Sequence, residues 1–138
     1  MIKSQWFKIE EYVPPETAAA RGEKAWELID PRLVVVMDII REELGVPITI
    51  NDWLWGGDRC WSGLRLAGSP YYSAYSQHTF GRAVDFLVKG YTADYVRKVI
   101  RKLFKQGKLP VKGLRLELNV GWVHLDLANV TGIVEFYP

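Results

Sequence analysis

The segment that most constrains the fold is GLRLELNVGWVHLDLANV, residues 113–130, in which two runs of alternating apolar and polar residues flank the dipeptide Val120-Gly121. Alternation with a period of two is typical of strands that bury one face, and a glycine-containing turn between two such runs predicts a β-hairpin. When Val120-Gly121 forms the turn, the ladder sets Glu117 directly opposite His124. Both side chains then lie on one face of the hairpin.

Charge and burial select this register. The register with the Val120-Gly121 turn also sets Arg115 opposite Asp126, which is a favourable pair. A shift of two residues would instead set Glu117 opposite Asp126, and two carboxylates in directly opposed positions repel each other. The face with these charged side chains is expected to be open, and the other face is expected to pack in the core. The apolar face consists of Leu116, Leu118, Val123 and Leu125.

Further helices and strands are predicted ahead of the hairpin. The helix over 31–44 has clear end signals, because Asp30 is a good N-cap, Pro31 suits the first helical position and Gly45 follows the last apolar position. In the segment before Asp30, Gly22 is a weak point in an otherwise helical pattern. The predicted elements are, in order, a helix over 16–29, a helix over 31–44, a strand over 47–52, a strand over 82–88 and a helix capped by Thr92.

A long irregular segment, residues 53–77, separates the two predicted strands. It is rich in glycine and serine, which is loop composition. A loop of this length in a compact domain is either functional or disordered, and its many aromatic residues argue against disorder. The loop therefore predicts a binding surface, with a small satellite core as the alternative. The candidate substrate-binding residues are Trp55, Trp61, Tyr72, Tyr75 and Ser76.

Length and composition favour a single domain over residues 1–138, because 49% of the residues are hydrophobic. The formal net charge of +2 gives no electrostatic reason for a nucleic-acid partner. No segment reaches the roughly 20 apolar residues of a membrane span, and no export signal is recognisable, so we expect a cytoplasmic location at synthesis without membrane insertion. The single cysteine, Cys60, excludes an internal disulfide. We expect a monomer.

The candidate metal ligands include the chain's only 2 histidines. His78 and Asp85 lie in SQHTFGRAVDF, residues 76–86, and His124 lies in the hairpin. Two imidazoles and one carboxylate suffice to bind a catalytic zinc, which needs its fourth position open. Taken alone, His78 and Asp85 are more often an ordinary turn histidine and a strand-end aspartate, and a lone hairpin histidine is more often packed or hydrogen-bonded. The combination favours a metal site.

Together, SQHTFGRAVDF and GWVHLDL resemble the paired signatures of the D-alanyl-D-alanine carboxypeptidase and endolysin group of zinc peptidases. In that group the pattern Ser-x-His-x-x-Gly-x-Ala-x-Asp supplies two zinc ligands, and a later histidine supplies the third. The resemblance implies that His78, Asp85 and His124 bind Zn²⁺. SGLR, residues 62–65, is similar to the group's Ser-Gly-Tyr-Arg stretch, which implies that Arg65 stabilises the substrate carbonyl or carboxylate. The matching positions are Ser76, His78, Gly81, Ala83 and Asp85.

The resemblance also implies a fold and an activity. The fold would be α+β, shared with the hedgehog signalling domain, with a small antiparallel sheet that carries the zinc site and packs against helices. The activity would be hydrolysis of peptidoglycan stem peptides, by carboxypeptidase or endopeptidase action. The nearest relatives would be small phage or prophage proteins that act on the cell wall after release or as part of a phage particle.

The expected catalytic base is where this chain departs from the group. Many members place a carboxylate three residues before the last zinc ligand, but the matching position here is Gly121. The hairpin register instead makes Glu117 the preferred base, because it lies opposite His124. Asp126 is the competing candidate on the same face. It could also pair with Arg115 or support a ligand.

Two other classes of function are open at this stage. A zinc-binding domain without turnover would use the metal to stabilise the fold or to organise a structural or cell-wall-binding module. A metal-free phage interaction module would use only the aromatic loop. A nuclease is disfavoured, because no stacking platform or basic groove accompanies the candidate ligands.

Overall fold

The chain forms an α+β fold of helices and one sheet, which the computed structural model describes over residues 2–138. The α-helices are α1 (Pro15–Arg21), α2 (Pro31–Leu44) and α3 (Ala93–Lys105). The strands are β1 (Ile48–Thr49), β2 (Ala83–Val88), β3 (Gly113–Glu117), β4 (Val123–Asp126) and β5 (Gly132–Phe136). Short 3-10 helices cover Ile9–Glu11, Gly22–Leu28 and Trp53–Trp55.

Gly22 divides the first predicted helix. α1 ends where Gly22 adopts a φ of 55°. A positive φ is open to glycine and costly for residues with a Cβ. The helix predicted over 16–29 is therefore an α-helix only as far as Arg21, and it breaks at the glycine that weakened the prediction. Its second half is a 3-10 helix that buries Ala25 and Trp26.

The prediction for α2 is confirmed at both ends. The Asp30 carboxylate accepts the N–H of Arg32 at 2.9 Å, and Pro31 occupies the first helical position. Gly45 closes the helix with a φ of 70° and donates its N–H to the carbonyl of Arg41. The buried face of the helix includes Leu33, Val36, Met37 and Ile40.

The strands form one sheet in the order β1-β2-β4-β3-β5. Neighbouring strands are antiparallel except β3 and β5, which run parallel. The antiparallel prediction is thus correct for the hairpin and wrong at the edge formed by β5, a strand that was not predicted from the sequence. The strand predicted over 47–52 shortens to β1, because the N–H of Asn51 leaves the sheet to bond the carbonyl of Glu11.

The hairpin register predicted from the sequence is confirmed. Glu117 faces His124, and Arg115 faces Asp126. Leu116 faces Leu125 on the opposite side of the sheet, and both are fully buried. The alternation of the two strands therefore sorts apolar side chains to the core and charged side chains to the other face.

The core lies on the apolar face of the sheet and is shared with α2 and α3. Thr92 caps α3, as expected, by accepting the N–H of Tyr95. Within residues 2–138, no helix is both long and apolar enough to cross a membrane. The core cluster includes Val84, Phe86, Leu116 and Leu125 from the sheet, Met37 and Ile40 from α2, and Ile100 and Leu103 from α3.

Candidate metal centre

Three polar side chains from neighbouring strands form a row across the sheet. Asp85 of β2 and Glu117 of β3 are both direct partners of His124 in β4. Side chains at directly paired positions share a face and lie within contact range. The predicted register thus brings two carboxylates beside one imidazole. In the next row on this face, Asp126 faces Arg115.

His78 reaches this row from the turn that precedes β2. Its backbone N–H donates to the Ser76 hydroxyl at 3.2 Å, and its Nδ1 lies 2.9 Å from the carbonyl oxygen of Gly63. Because a carbonyl oxygen can only accept, Nδ1 carries the proton, and the lone pair of the neutral ring is on Nε2. Nε2 lies 3.3 Å from Oδ2 of Asp85. The Gly63 carbonyl therefore holds the ring in a tautomer and orientation that suit a metal ligand.

Two glycines permit the close packing around His78. Gly81 has a φ of 68°, and a Cβ at this position would collide with the carbonyl oxygen of Leu28. A Cβ at Gly63 would collide with the carbonyl oxygen of Tyr12. Both glycines are therefore steric requirements of the fold around the candidate ligands.

Both ring nitrogens of His124 are engaged. Nδ1 lies 2.8 Å from Oδ1 of Asp85, and Nε2 lies 2.8 Å from Oδ2 of Asp126. Asp126 is fully buried and is itself fixed by Arg115, whose Nε and Nη2 donate to its two oxygens at 2.9 and 3.0 Å. The N–H of Ala128 adds a further bond. Asp126 thus fixes the orientation of the His124 ring, and both of its oxygens are occupied.

Opposite charges in this cluster stabilise one another. Burial disfavours the charged imidazole, but the hydrogen bonds that its N–H groups donate to Asp126 and Asp85 outweigh burial and raise the pKa of His124 to about 9. Burial of Asp85 is likewise outweighed by its contacts with His124 and His78, which hold the pKa of that carboxyl well below its ordinary value. At neutral pH, His124 is therefore a positively charged imidazolium between the carboxylates of Asp85 and Asp126. A divalent cation could take the place of its proton.

The donor set fits a metal ion. His78, Asp85 and His124 each offer a ligand atom within 4.8 Å of the others, and the three residues are largely buried. His78 can offer Nε2 and His124 can offer Nδ1, because their other nitrogens are held by Gly63 and Asp126. Imidazole and carboxylate donors suit several divalent transition metals, so the donor set leaves the identity of the metal open.

Glu117 lines the same cleft as the three candidate ligands. This central cleft, of about 490 Å³, is also lined by Tyr75 and Ser76. Within residues 2–138, no hydrogen bond or ion pair engages the Glu117 carboxylate, which is only half-buried. The carboxylate is therefore free to accept a proton from a molecule in the cleft.

Arg65 lies against the cluster and contacts one of its members. Its Nη2 donates to Oδ2 of Asp85 at 2.9 Å, and its Nε donates to the carbonyl of Trp61 at 2.8 Å. The guanidinium also lies 5.6 Å from the ring centre of Tyr71. Two of its donors are thus used within the protein, and it reaches the cleft beside a candidate ligand.

The predicted aromatic residues do not all reach one site. Tyr75 lines the central cleft, whereas Trp61 lines a neighbouring outer cleft of about 320 Å³ together with Asp58 and Cys60. Tyr72 lines a separate hollow beside α1. Trp55 is 61% exposed and lines neither cleft. The loop therefore contributes some of its aromatic residues to the site and leaves others on the surface.

Three aromatic residues at the site were not predicted there. Trp122 lines both clefts, and its position two residues before His124 on the same strand face was a usable signal. Phe136 lies beside Glu117 in the unpredicted strand β5, and its ring centre is 5.7 Å from that of His124. Tyr71 lines both clefts from the loop, where no periodicity could place it.

The fold and the site define an α+β domain with a buried His-Asp-His group that could hold a metal ion. Comparisons of the chain with protein-family models, with curated proteins and with solved structures find no match. The resemblance to zinc peptidases is therefore limited to the short motifs.

Proposed function

We propose that the protein is a zinc-dependent peptidase that hydrolyses peptide bonds of bacterial peptidoglycan. The observation that carries the proposal is the unpaired Glu117 carboxylate, placed opposite a candidate metal ligand in an open cleft. A metal-binding module without turnover has no need for a free carboxylate at this position. The motif resemblance supports the same reaction and the same substrate, including its phage or prophage setting.

Different residues of the chain have different roles in this reaction. Zinc, when bound, supplies a Lewis acid that polarises the scissile carbonyl and acidifies water. His78, Asp85 and His124 hold the ion. Glu117 takes the proton of the attacking water and returns it to the leaving amine, which is the role of a general base and then a general acid.

Asp126 acts as a positioning residue rather than as the base. Its two oxygens are bonded to Arg115, His124 and the N–H of Ala128. Proton transfer to Asp126 would break the ion pair that orients His124. The choice between the two candidate bases therefore falls on Glu117.

Arg65 has a double role in this proposal. It holds the Asp85 carboxylate in place, and it lines the cleft in which the carbonyl oxygen gains charge. A guanidinium in this position stabilises developing negative charge without proton transfer.

The test is digestion of purified peptidoglycan from several wall types by the zinc-loaded protein, with mass spectrometry of the released fragments. We expect release of stem-peptide fragments, and loss of both bound zinc and release in His78→Ala. Stoichiometric zinc without release from any wall type would contradict peptidase action and favour the non-catalytic metal-binding module. A protein that takes up no zinc would overturn the proposal altogether.

A further inference from the structure

We propose that a basic pocket beside the end of β4 binds the terminal phosphate group of a small phosphomonoester. Three cationic side chains, Arg32, Arg82 and Lys112, line the pocket together with Gly113 and residues 127–130. None of the lining residues is a candidate metal ligand, and none of them lines the central or the outer cleft. The pocket is therefore a second site, and its ligand does not depend on the proposed peptidase activity.

The backbone around the pocket is fixed by the fold. The N–H of Leu127 donates to the carbonyl of Arg82 at 3.0 Å, which joins the segment after β4 to the start of β2. Gly113, at the start of β3, packs so closely on the loop that a Cβ would collide with the carbonyl oxygen of Val130. The walls of the pocket are therefore in place before a ligand arrives, which lowers the entropic cost of binding.

Two of the three cations have no partner in the protein. Within residues 2–138, the guanidinium of Arg82 and the ammonium of Lys112 make no hydrogen bond or ion pair. The Arg82 guanidinium lies 5.2 Å from the ring centre of Phe80. Arg32 differs, because its Nε and Nη2 donate to Asp30 at 3.1 and 2.6 Å. Arg82 and Lys112 therefore have donors free for a ligand.

The net charge of the pocket matches a phosphate dianion. Among residues 2–138, no aspartate or glutamate lines the pocket, and the neighbouring Asp30 carboxylate is occupied by Arg32. Three cations and this one carboxylate leave two positive charges. A phosphomonoester has a charge of about −1.5 to −2 near pH 7 and offers three acceptor oxygens, whereas a carboxylate has a single charge on two oxygens. The pocket therefore favours a phosphate over a carboxylate.

The size and lining of the pocket favour an ester over the bare ion. Its volume of about 300 Å³ lies at the lower end of the range for small-molecule sites. Asn129 adds an amide donor to the lining, and Leu127 and Val130 add apolar surface. These groups suit a small organic substituent attached to the phosphate.

The charge distribution of the chain also draws anions to this side of the molecule. Residues 93–112, which comprise α3 and the segment that ends at Lys112, contain seven lysines and arginines and one acidic residue. The rest of the chain contains 11 basic and 15 acidic residues. Positive charge is thus concentrated in the segment that leads to the pocket, and such a field raises the local concentration of anions.

The experiment titrates the metal-free protein with glycerol 3-phosphate in a calorimeter at about pH 8, where the phosphate group is a dianion. Because no metal is bound, a metal ion cannot hold the phosphate. We expect saturable binding of one molecule per chain, with shifts of the amide NMR signals of residues 127–130. Inorganic phosphate should bind more weakly. Dimethyl phosphate, which has a single charge, should bind at least about tenfold more weakly than the ester.

Variants separate the pocket from general attraction to basic charge. Arg82→Gln should weaken binding of glycerol 3-phosphate by about 10- to 100-fold, the usual cost of losing a charged hydrogen-bond donor. Lys112→Gln changes an exposed residue that does not support the fold, and it should weaken binding by about tenfold. Lys102→Gln is the control, because it removes the same charge from the exposed side of α3, and it should change the affinity by less than about twofold. Equal losses in Lys102→Gln and the pocket variants would overturn the inference.

The other outcomes are equally clear. The inference is overturned when neither glycerol 3-phosphate nor inorganic phosphate binds saturably, or when the NMR shifts fall outside the pocket. Tighter binding of inorganic phosphate than of the ester would overturn the assignment to a phosphomonoester, and so would equal binding of dimethyl phosphate. A failure to digest peptidoglycan would remove the proposed function and leave all of these results unchanged.

Discussion

At the scale of single residues, the contacts of Asp126 explain how one strand can offer a histidine to a metal. The carboxylate accepts from His124 Nε2, and Arg115 holds the carboxylate through two parallel bonds. This chain of contacts leaves Nδ1 of His124 directed at Asp85. An aspartate that follows a histidine by two residues on a strand can thus orient the histidine ring and leave its other nitrogen available.

We therefore expect Asp126→Asn to weaken zinc affinity by about 10- to 100-fold. The amide keeps the size of the side chain but loses the charge that orients His124 and pairs with Arg115. Affinity is measured by competition with a chelator of known strength, and circular dichroism checks the fold. Glu135→Asn is the control, because Glu135 pairs with Arg101 at the β5 edge. Unchanged affinity in Asp126→Asn would remove Asp126 from the support of the metal.

Asp30 allows a test of stability against pH. Burial raises the pKa of this carboxyl, but hydrogen bonds from Arg32 outweigh burial and hold the pKa below its ordinary value of 3.8. A lowered pKa means that the charged form stabilises the fold at neutral pH and that this contribution is lost as pH falls. We expect Asp30→Ala to cost about 1 kcal/mol at pH 7, with the difference from wild type shrinking between about pH 5 and pH 3.

The matched variant Asp30→Asn separates the cap from the charge. Asparagine caps helices about as well as aspartate, so this variant should stay close to wild type at pH 3. Chemical denaturation at several pH values measures both variants. A constant difference between wild type and Asp30→Ala across this range would contradict the assigned role of the charge.

At the scale of elements, one buried arginine ties α3 to the turn between β3 and β4. Arg97 is only 2% exposed, and its Nη2 donates to the carbonyls of Val120 and Trp122 at 2.8 and 2.9 Å. The turn also contains Asn119 with a φ of 59°. Because Trp122 lines both clefts, this contact connects the helix to the shape of the site.

We expect Arg97→Met to lower the free energy of unfolding by about 1–3 kcal/mol for each carbonyl left without a partner. Hydrogen exchange should also rise at residues 119–123. Arg101→Met is the matched control on the same helix, because Arg101 makes only a partly exposed ion pair with Glu135, and such pairs contribute about 0–1 kcal/mol. Similar losses in the two variants would contradict a special role for Arg97.

Gly81 and Gly107 offer a matched pair for the turn that carries His78. Both have positive φ values, 68° and 72°, but a Cβ at Gly81 would collide with the Leu28 carbonyl, whereas a Cβ at Gly107 would meet nothing within 4 Å. We expect Gly107→Ala to cost about 1–2 kcal/mol, for backbone strain alone. Gly81→Ala should cost more in denaturation and should also weaken zinc binding. Equal costs and equal zinc affinity would show that the turn adapts freely.

At the scale of the whole molecule, the sequence predicted the parts of the site that depend on periodicity. Strand alternation and charge pairing placed Glu117 opposite His124, and the structure confirms that register. Periodicity says nothing about strands that lie far apart in sequence. The neighbourhood of β2 and β4, which brings Asp85 beside His124, was expected only because a shared metal site required it, and the resemblance to zinc peptidases pointed the same way.

The long loop and the β5 edge were the least predictable parts. The loop follows no period, so the sequence could not separate Trp61, which lines the outer cleft, from Trp55, which stays on the surface. The parallel pairing of β5 with β3 depends on how the chain returns to the sheet after β4, and no local sequence pattern predicts that connection. Bonds such as that from Arg65 to Asp85 likewise require the assembled fold.

The most direct test of the central claim compares Glu117→Gln with Glu135→Gln, each loaded with zinc and incubated with the same peptidoglycan. Both variants should hold stoichiometric zinc, because neither residue is a candidate ligand. Glu117→Gln should lose about 10²- to 10⁴-fold in the rate of fragment release, the usual contribution of a general base, and Glu135→Gln should match wild type. Release by Glu117→Gln at the wild-type rate would contradict the account.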